Sequence, residues 1–280
     1  MSGLARPAGR DAASRLALAP ARLVFVAGLH RSGTTPLARW LADSPHVAGL
    51  RDTGVWQDEG QHLQDALPKA IEHGGPGRFA FARAMRATEA DATPALARAL
   101  LEAWAPHWEL ERPLLLEKSP PNLLRTRLLQ ALFPGCALVV VIRHPLAVAL
   151  ATQKWIRRPR RALAIPLLLR HWLRAHELLL ADAPRLERLV VVRYEQLAAD
   201  PGAVLARVGA FLGLPQPPPV PADAAPGVDA RYFDAWARRP LPRRALGAAA
   251  ALALERRVAR FGYSLRDPHA HPAPDPALVR

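Results

Sequence analysis

Short, continuous apolar runs alternate along the chain with longer stretches of helical spacing. Leu23-Val24-Phe25-Val26-Ala27 is the first run, stopped by Gly28. Leu114 to Leu116, Ala137 to Ile142 and Leu189 to Val192 repeat the pattern. Runs this short and β-rich predict strands buried on both faces. Between them, apolar residues three and four apart predict helices over Thr34–Leu41, Ala95–Trp108, Asn122–Phe133, the segment after Pro145, Arg160–Ala181 and Ala203–Leu212. Ser44–Gly77 is polar and reads as loop and short helix. The Pro-rich 214–242 stretch reads as a surface loop, Ala245–Phe261 as a terminal helix, and the residues after Arg266 as a loose tail. Strand and helix in alternation predict an α/β fold of three layers, a parallel sheet between helices. One domain over 21–265, after a disordered lead-in of residues 1–20, suits a chain of 280 residues.

Composition narrows the partners. The formal charge is +14, which favours anionic ligands, although Arg is the default cation throughout and base composition explains part of the excess. The single cysteine, Cys136, lies in an apolar setting, so it reads as a small buried side chain. Cys/His zinc spacing is absent. With no run of eighteen apolar residues and no convincing signal peptide, a cytoplasmic protein without a transmembrane segment is expected.

The residues that follow strand ends carry the chemistry, because ligands of open α/β sheets sit at the carboxyl edge. Gly28-Leu29-His30-Arg31-Ser32-Gly33-Thr34-Thr35 has the outline of a phosphate loop leading into a helix. An ATP-type loop places Lys after its second glycine; here Thr34 stands there, and the cation is Arg31. The third strand ends at Arg143 rather than at an acid that would help hold magnesium. The loop therefore suits a phosphate donor that lacks a γ-phosphate and is used without metal.

At these residues the chain resembles the sulfotransferase superfamily. Arg31-Ser32-Gly33-Thr34-Thr35 is similar to its 5′-phosphosulfate loop, and Val139 to Pro145 to the strand and turn of its 3′-phosphate site. Glu117-Lys118-Ser119-Pro120 is similar to a segment of carbohydrate O-sulfotransferases. Val191 to Leu197, with Asp200-Pro201 and Phe211 to Pro215, is similar to a pattern that follows the family's core. The resemblance implies transfer of a sulfuryl group from 3′-phosphoadenosine 5′-phosphosulfate (PAPS) to a hydroxyl acceptor, which is a carbohydrate, a peptide tyrosine or a small molecule. It implies that Arg31, Ser32, Gly33, Thr34 and Thr35 hold the 5′-phosphosulfate and that Arg143 grips the 3′-phosphate. The family's usual Ser eight residues on is Ala151 here, so either Thr152 at the next position substitutes after a small shift or that hydrogen bond is lost. Glu59 is the implied general base, with Asp58, His62 and, further off, Asp52 in reserve. Lys118 is implied to stabilise the sulfonate or protonate the leaving group. Trp155 reads as core in preference to an adenine platform. Rival readings are a small-molecule kinase with an altered loop, a basic nucleic-acid binder with no nucleic-acid motif to support it, and a sulfotransferase that has kept its donor site and lost transfer.

Overall fold

The computed structural model describes residues 19–156, 164–220, 222, 229–238, 249 and 252–279. Five parallel strands form one sheet: β1 (Leu23–Gly28), β2 (Val47–Gly49), β3 (Leu114–Lys118), β4 (Ala137–Ile142) and β5 (Leu189–Arg193), in the spatial order β2-β3-β1-β4-β5. The α/β expectation holds. Alternation along each strand divides the core in two. Phe25, Leu138 and Val140 face one side, packing with Trp104, Leu169 and Trp172. Val24, Val26, Val139 and Val141 face the other, packing with Leu37, Leu41 and Leu205.

The helices that cover these faces are α1 (Thr34–Ala42), α2 (Pro94–Trp104), α3 (Thr126–Leu132), α4 (Pro145–Gln153), α5 (Ala164–Asp182), α6 (Tyr194–Ala199) and α7 (Pro201–Leu212). Several starts follow from local chemistry. Thr93 accepts from Leu96 N–H before α2, and Asp200 from Ala203 N–H before α7. His144 Nδ1 accepts from Leu146 N–H before α4, while Nε2 meets Ser264 O at 3.0 Å.

Three expectations change. Val47–Gly49, inside the stretch read as loop, is a three-residue edge strand paired with β3. The Pro-rich region contains a helix, α8 (Ala230–Ala237), where the sequence suggested only loop. The residues beyond Arg266 return to the body: Leu278 is buried in the core, and Asp275 pairs with Arg260 at 3.2 Å. Helix is also present over 252–259. The expected lead-in up to residue 18 and the start of the long helix lie outside the described residues. No helix among the described residues is long and apolar enough to cross a membrane.

Candidate active site

β1 is central, and its neighbours bring the chemistry to both sides of the loop that follows it. Val26 is in register with Lys118 on β3, and Gly28 with Val141 on β4, two residues before Arg143. Gly28 is required where it stands. A Cβ there would lie 2.6 Å from Val141 O. Arg31 takes the left-handed conformation at φ 69°, and Gly33, at φ 98°, begins α1. Ser32 is fully buried; its hydroxyl (2.5 Å) and its N–H (3.0 Å) both donate to Leu29 O. Ser32 therefore shapes the loop, its hydroxyl engaged by Leu29 O. Thr34 and Thr35 open α1, whose first N–H groups have no partner within the helix and point at the loop.

Arg143 crosses this loop. Nη1 donates to Arg31 O at 2.7 Å, Nε donates to Asp229 Oδ1 at 3.0 Å, Nη2 donates to the same carboxylate, and the guanidinium lies 4.0 Å from the Tyr194 ring centroid. Arg31, Gly33, Thr35, Arg143, Tyr194 and Arg231 line a cleft of about 220 Å³. Glu195 braces it from behind, accepting His144 N–H at 2.7 Å and the Tyr263 hydroxyl at 2.8 Å. Thr152 is not on this cleft. It is buried beside Gly77 and Leu168, in a small interior space shared with His30 and His171. Asp229 and Arg231 carried no sequence signal, since they belong to the stretch read as loop.

On the other side of the loop, Lys118 and Glu59 are both buried and meet at 3.2 Å; Lys118 also donates to Gln57 O at 2.9 Å. Burial lowers the Lys118 pKa from the usual lysine value, and Glu59 offsets part of that. Gln61 Nε2 donates to Glu59 Oε2 at 2.5 Å, and His62 Nε2 lies 3.6 Å from that oxygen. Burial lowers the His62 pKa against the pull of Glu59. Asp58 is held differently. Burial would raise its pKa, but hydrogen bonds from the Thr53 N–H (3.0 Å) and hydroxyl (2.7 Å) outweigh it and lower the value. Asp52 is exposed at φ 52°.

The carboxylate that sequence reading passed over is Glu117. It is fully buried, which pushes its pKa up to about 7 against the hydrogen bonds it accepts. Those bonds come from the Ser119 hydroxyl and from Asn122 Nδ2, both at 2.5 Å. Ser119 Oγ in turn accepts Gln61 N–H at 2.9 Å. The Glu59–Gln61 segment is thus tied to the end of β3. Its Glu-Lys-Ser-Pro setting, with the acid pointing into the core beside a lysine, was the available signal.

Lys118, Gln57, Asp58, Asp52 and Arg39 stand on a second, larger cleft of about 590 Å³. Thr35, Pro36 and Gln57 belong to both clefts. Glu59 is not on the wall of either; it lies behind Lys118. Trp155 is not core. It is 46% exposed and forms an aromatic corner with Trp56 (6.0 Å between centroids) and His30, under the Arg31 guanidinium. The partly open surface beside the loop keeps this ring at the rim.

A family model described as the sulfotransferase family matches residues 23–218. Sulfotransferase STF1 from Mycobacterium tuberculosis H37Rv superposes with a TM-score of 0.51 at 16% identity, covering 89% of this chain and 80% of that one. For sulfotransferase STF9 from Mycobacterium avium the values are 0.48, 17%, 88% and 81%. A sulfotransferase from Alicyclobacillus acidocaldarius gives 0.48, 17%, 83% and 94%. The likeness to STF1 supports a shared fold. No curated protein matches the chain.

Proposed function

The chain belongs to the sulfotransferase family, and from that premise we propose that it moves a sulfuryl group from PAPS to a hydroxyl acceptor. The observation that carries this reading is one cleft that gathers two sets of cationic groups. One is Arg31 on the loop at the start of α1; the other is Arg143 with Arg231. A nucleotide with separate anionic groups on its 5′ and 3′ sides matches that pair, whereas a triphosphate concentrates its charge on one side. At the positions where an ATP enzyme carries its loop lysine and metal carboxylate, the chain has Thr34 and Arg143.

The 5′-phosphosulfate takes the N–H groups at the start of α1 and the charge of Arg31. Arg143 binds the 3′-phosphate, which replaces the Asp229 carboxylate as its anion. In the transfer, the acceptor oxygen bonds to sulfur as the bond from sulfur to the bridging phosphate oxygen breaks. The electron pair leaves with the phosphate, and Glu59 takes the acceptor proton. Lys118 neutralises the sulfonate oxygens as charge shifts toward the leaving group. Its ammonium lines the larger cleft and holds Glu59 behind it at 3.2 Å, so Glu59 takes the proton as Lys118 turns from it toward the sulfonate.

Calorimetry with 3′-phosphoadenosine 5′-phosphate (PAP), without metal, tests the donor. The expected result is saturable binding of PAP, much weaker binding of ATP, and loss of PAP binding in Arg143→Ala. Equal affinity for ATP and PAP would sink the reading in favour of a kinase-type nucleotide site.

A further inference from the structure

We propose that the larger cleft holds the acceptor, and that this acceptor is a neutral, polyhydroxylated molecule of the saccharide type. The inference rests on the donor reading above, since the larger cleft is free for an acceptor only if the smaller one is the nucleotide's.

The two clefts are continuous. They share Thr35, Pro36 and Gln57, and Lys118 lies on the floor of the larger one. A hydroxyl entering from the larger cleft reaches the transferring group at Lys118, with Glu59 directly behind that ammonium. Backbone strain marks the same place. The non-glycine residues with left-handed φ among the described residues are Arg31, Asp52, Gln57 and Asp58, and each lines one of these clefts. Strain of this kind costs about 1–3 kcal/mol per residue and gathers where a chain is shaped for a ligand.

Charge separates the two clefts and points to the acceptor class. The smaller is lined by the guanidinium groups of Arg31, Arg143 and Arg231, against which stands the one carboxylate of Asp229 that pairs with Arg143, so it keeps a cationic excess. The larger is balanced: Arg39, Arg51 and Lys118 against Asp43, Asp52 and Asp58. The chain as a whole carries +14, so a cleft made for a polyanion would have drawn on that surplus, and this one does not. A cationic acceptor would call for an acidic excess, which is also missing. A hydroxyl both donates and accepts, so a polyol suits a wall of interleaved carboxylates and guanidinium groups. Asp43 and Arg51 already hold each other at 2.5 Å, and Asp58 is held by Thr53. Arg39 and Asp52 are exposed, and neither side chain has a hydrogen bond or ion pair among the described residues. They are the pair left for a ligand. Trp40 is the one aromatic residue among the described lining. One indole gives a sugar ring a flat surface; a phenol would need an enclosing apolar slot.

The test incubates the full chain with PAPS and a panel of acceptors: neutral mono-, di- and trisaccharides with inositol, a hyaluronan tetrasaccharide, and 4-nitrophenol. Sulfated product is read by mass spectrometry, with PAP affinity measured alongside. The expected result is transfer to neutral members in preference to the anionic and phenolic ones. Arg39→Ala and Asp52→Asn should each raise the acceptor KM about tenfold, the scale of one hydrogen bond to a charged group, with PAP affinity unchanged. Asn is chosen because it tolerates the left-handed backbone at position 52. Transfer to hyaluronan or to the phenol in preference, no transfer to any neutral member by a protein that binds PAP, or variants that leave the KM unmoved would overturn the proposal. Failure of the wild type to bind PAP is a different result and removes the donor reading instead.

Discussion

Arg143 holds Asp229 and the carbonyl of Arg31 together, so an incoming phosphate meets a guanidinium that already has an anion. Removing that competitor should help the ligand. Asp229→Asn is expected to tighten PAP binding several-fold by calorimetry; unchanged or weaker binding would mean that Asp229 supports the site. Glu59 and Lys118 need gentler substitution. Truncating one partner of a buried ion pair costs about 3–5 kcal/mol because the other charge is stranded. Glu59→Gln keeps the shape and removes the basic oxygen, and should lower kcat by about 10²- to 10⁴-fold, the range of a general base, with PAP affinity retained. Initial rates and a PAP titration on one preparation check both halves. Arg31, Glu59, Lys118 and Arg143 were visible in the sequence because each stands in a short motif beside a strand end or just beyond the first helix. Asp229 and Arg231 were not. They reach the loop from more than eighty residues beyond Arg143, and an ion pair across that separation leaves no local pattern.

Among the elements, the end of β3 is the most constrained. Glu117 supports Gln61 through Ser119, and Gly60 sits so close that an added Cβ would be 2.5 Å from Glu117 Oε1. Trp104 Nε1 donates to Gly60 O at 3.0 Å from the far side. Gly60→Ala is therefore expected to destabilise the fold by about 1–3 kcal/mol, the usual cost of overpacking, read as a lower urea midpoint. Ser119→Ala removes one tie and leaves volume nearly unchanged. Its expected effect is a lower kcat at unchanged PAP affinity, and a normal kcat would show that Glu59 is positioned without it. The longer strands were legible because each carries an unbroken run of apolar residues, from three in β3 to six in β4. β2 was not, since it offers only Val47 and Ala48 before Gly49. α8 was hidden by the prolines around it. Trp155 was misjudged because an indole after a helix looks the same whether it faces the core or the rim of a site.

Over the whole molecule, buried histidines set the response to acid. Burial lowers the pKa of His30 and His171 to about 3 and of His144 and His176 to about 4, from 6.5. Below pH 6.5 the unfolded chain takes up these four protons and the folded one does not, so stability falls as pH drops from 6.5 toward 4. Glu117 works the other way between 4.5 and about 7, because the folded state binds its proton more tightly. Glu195, its pKa also raised by burial, adds to that opposition, but the four histidines, joined by His62, outnumber the two carboxylates, and added positive charge burdens a chain already at +14. The thermal midpoint should therefore fall between pH 7 and pH 5 by scanning calorimetry; a flat or rising midpoint would mean that some of these rings are open to water. At this scale the sequence was most readable: strand and helix in alternation required helices on both faces of a parallel sheet, and the loop after β1 pointed to the candidate site. What it could not convey was the division of that site into a cationic cleft and a balanced one, which depends on which arginines meet which aspartates in three dimensions.

The central claim is that one cleft holds two separate phosphates, with Arg31 at the 5′ side and Arg143 at the 3′ side. Phosphorus NMR of bound PAP tests it directly, because the two phosphates give distinct signals. In the wild type both resonances should move on binding. At protein concentrations that keep PAP bound, Arg143→Lys should chiefly alter the 3′ signal and Arg31→Lys the 5′ signal. If both variants perturb the same resonance, or neither does, the two-phosphate assignment is wrong.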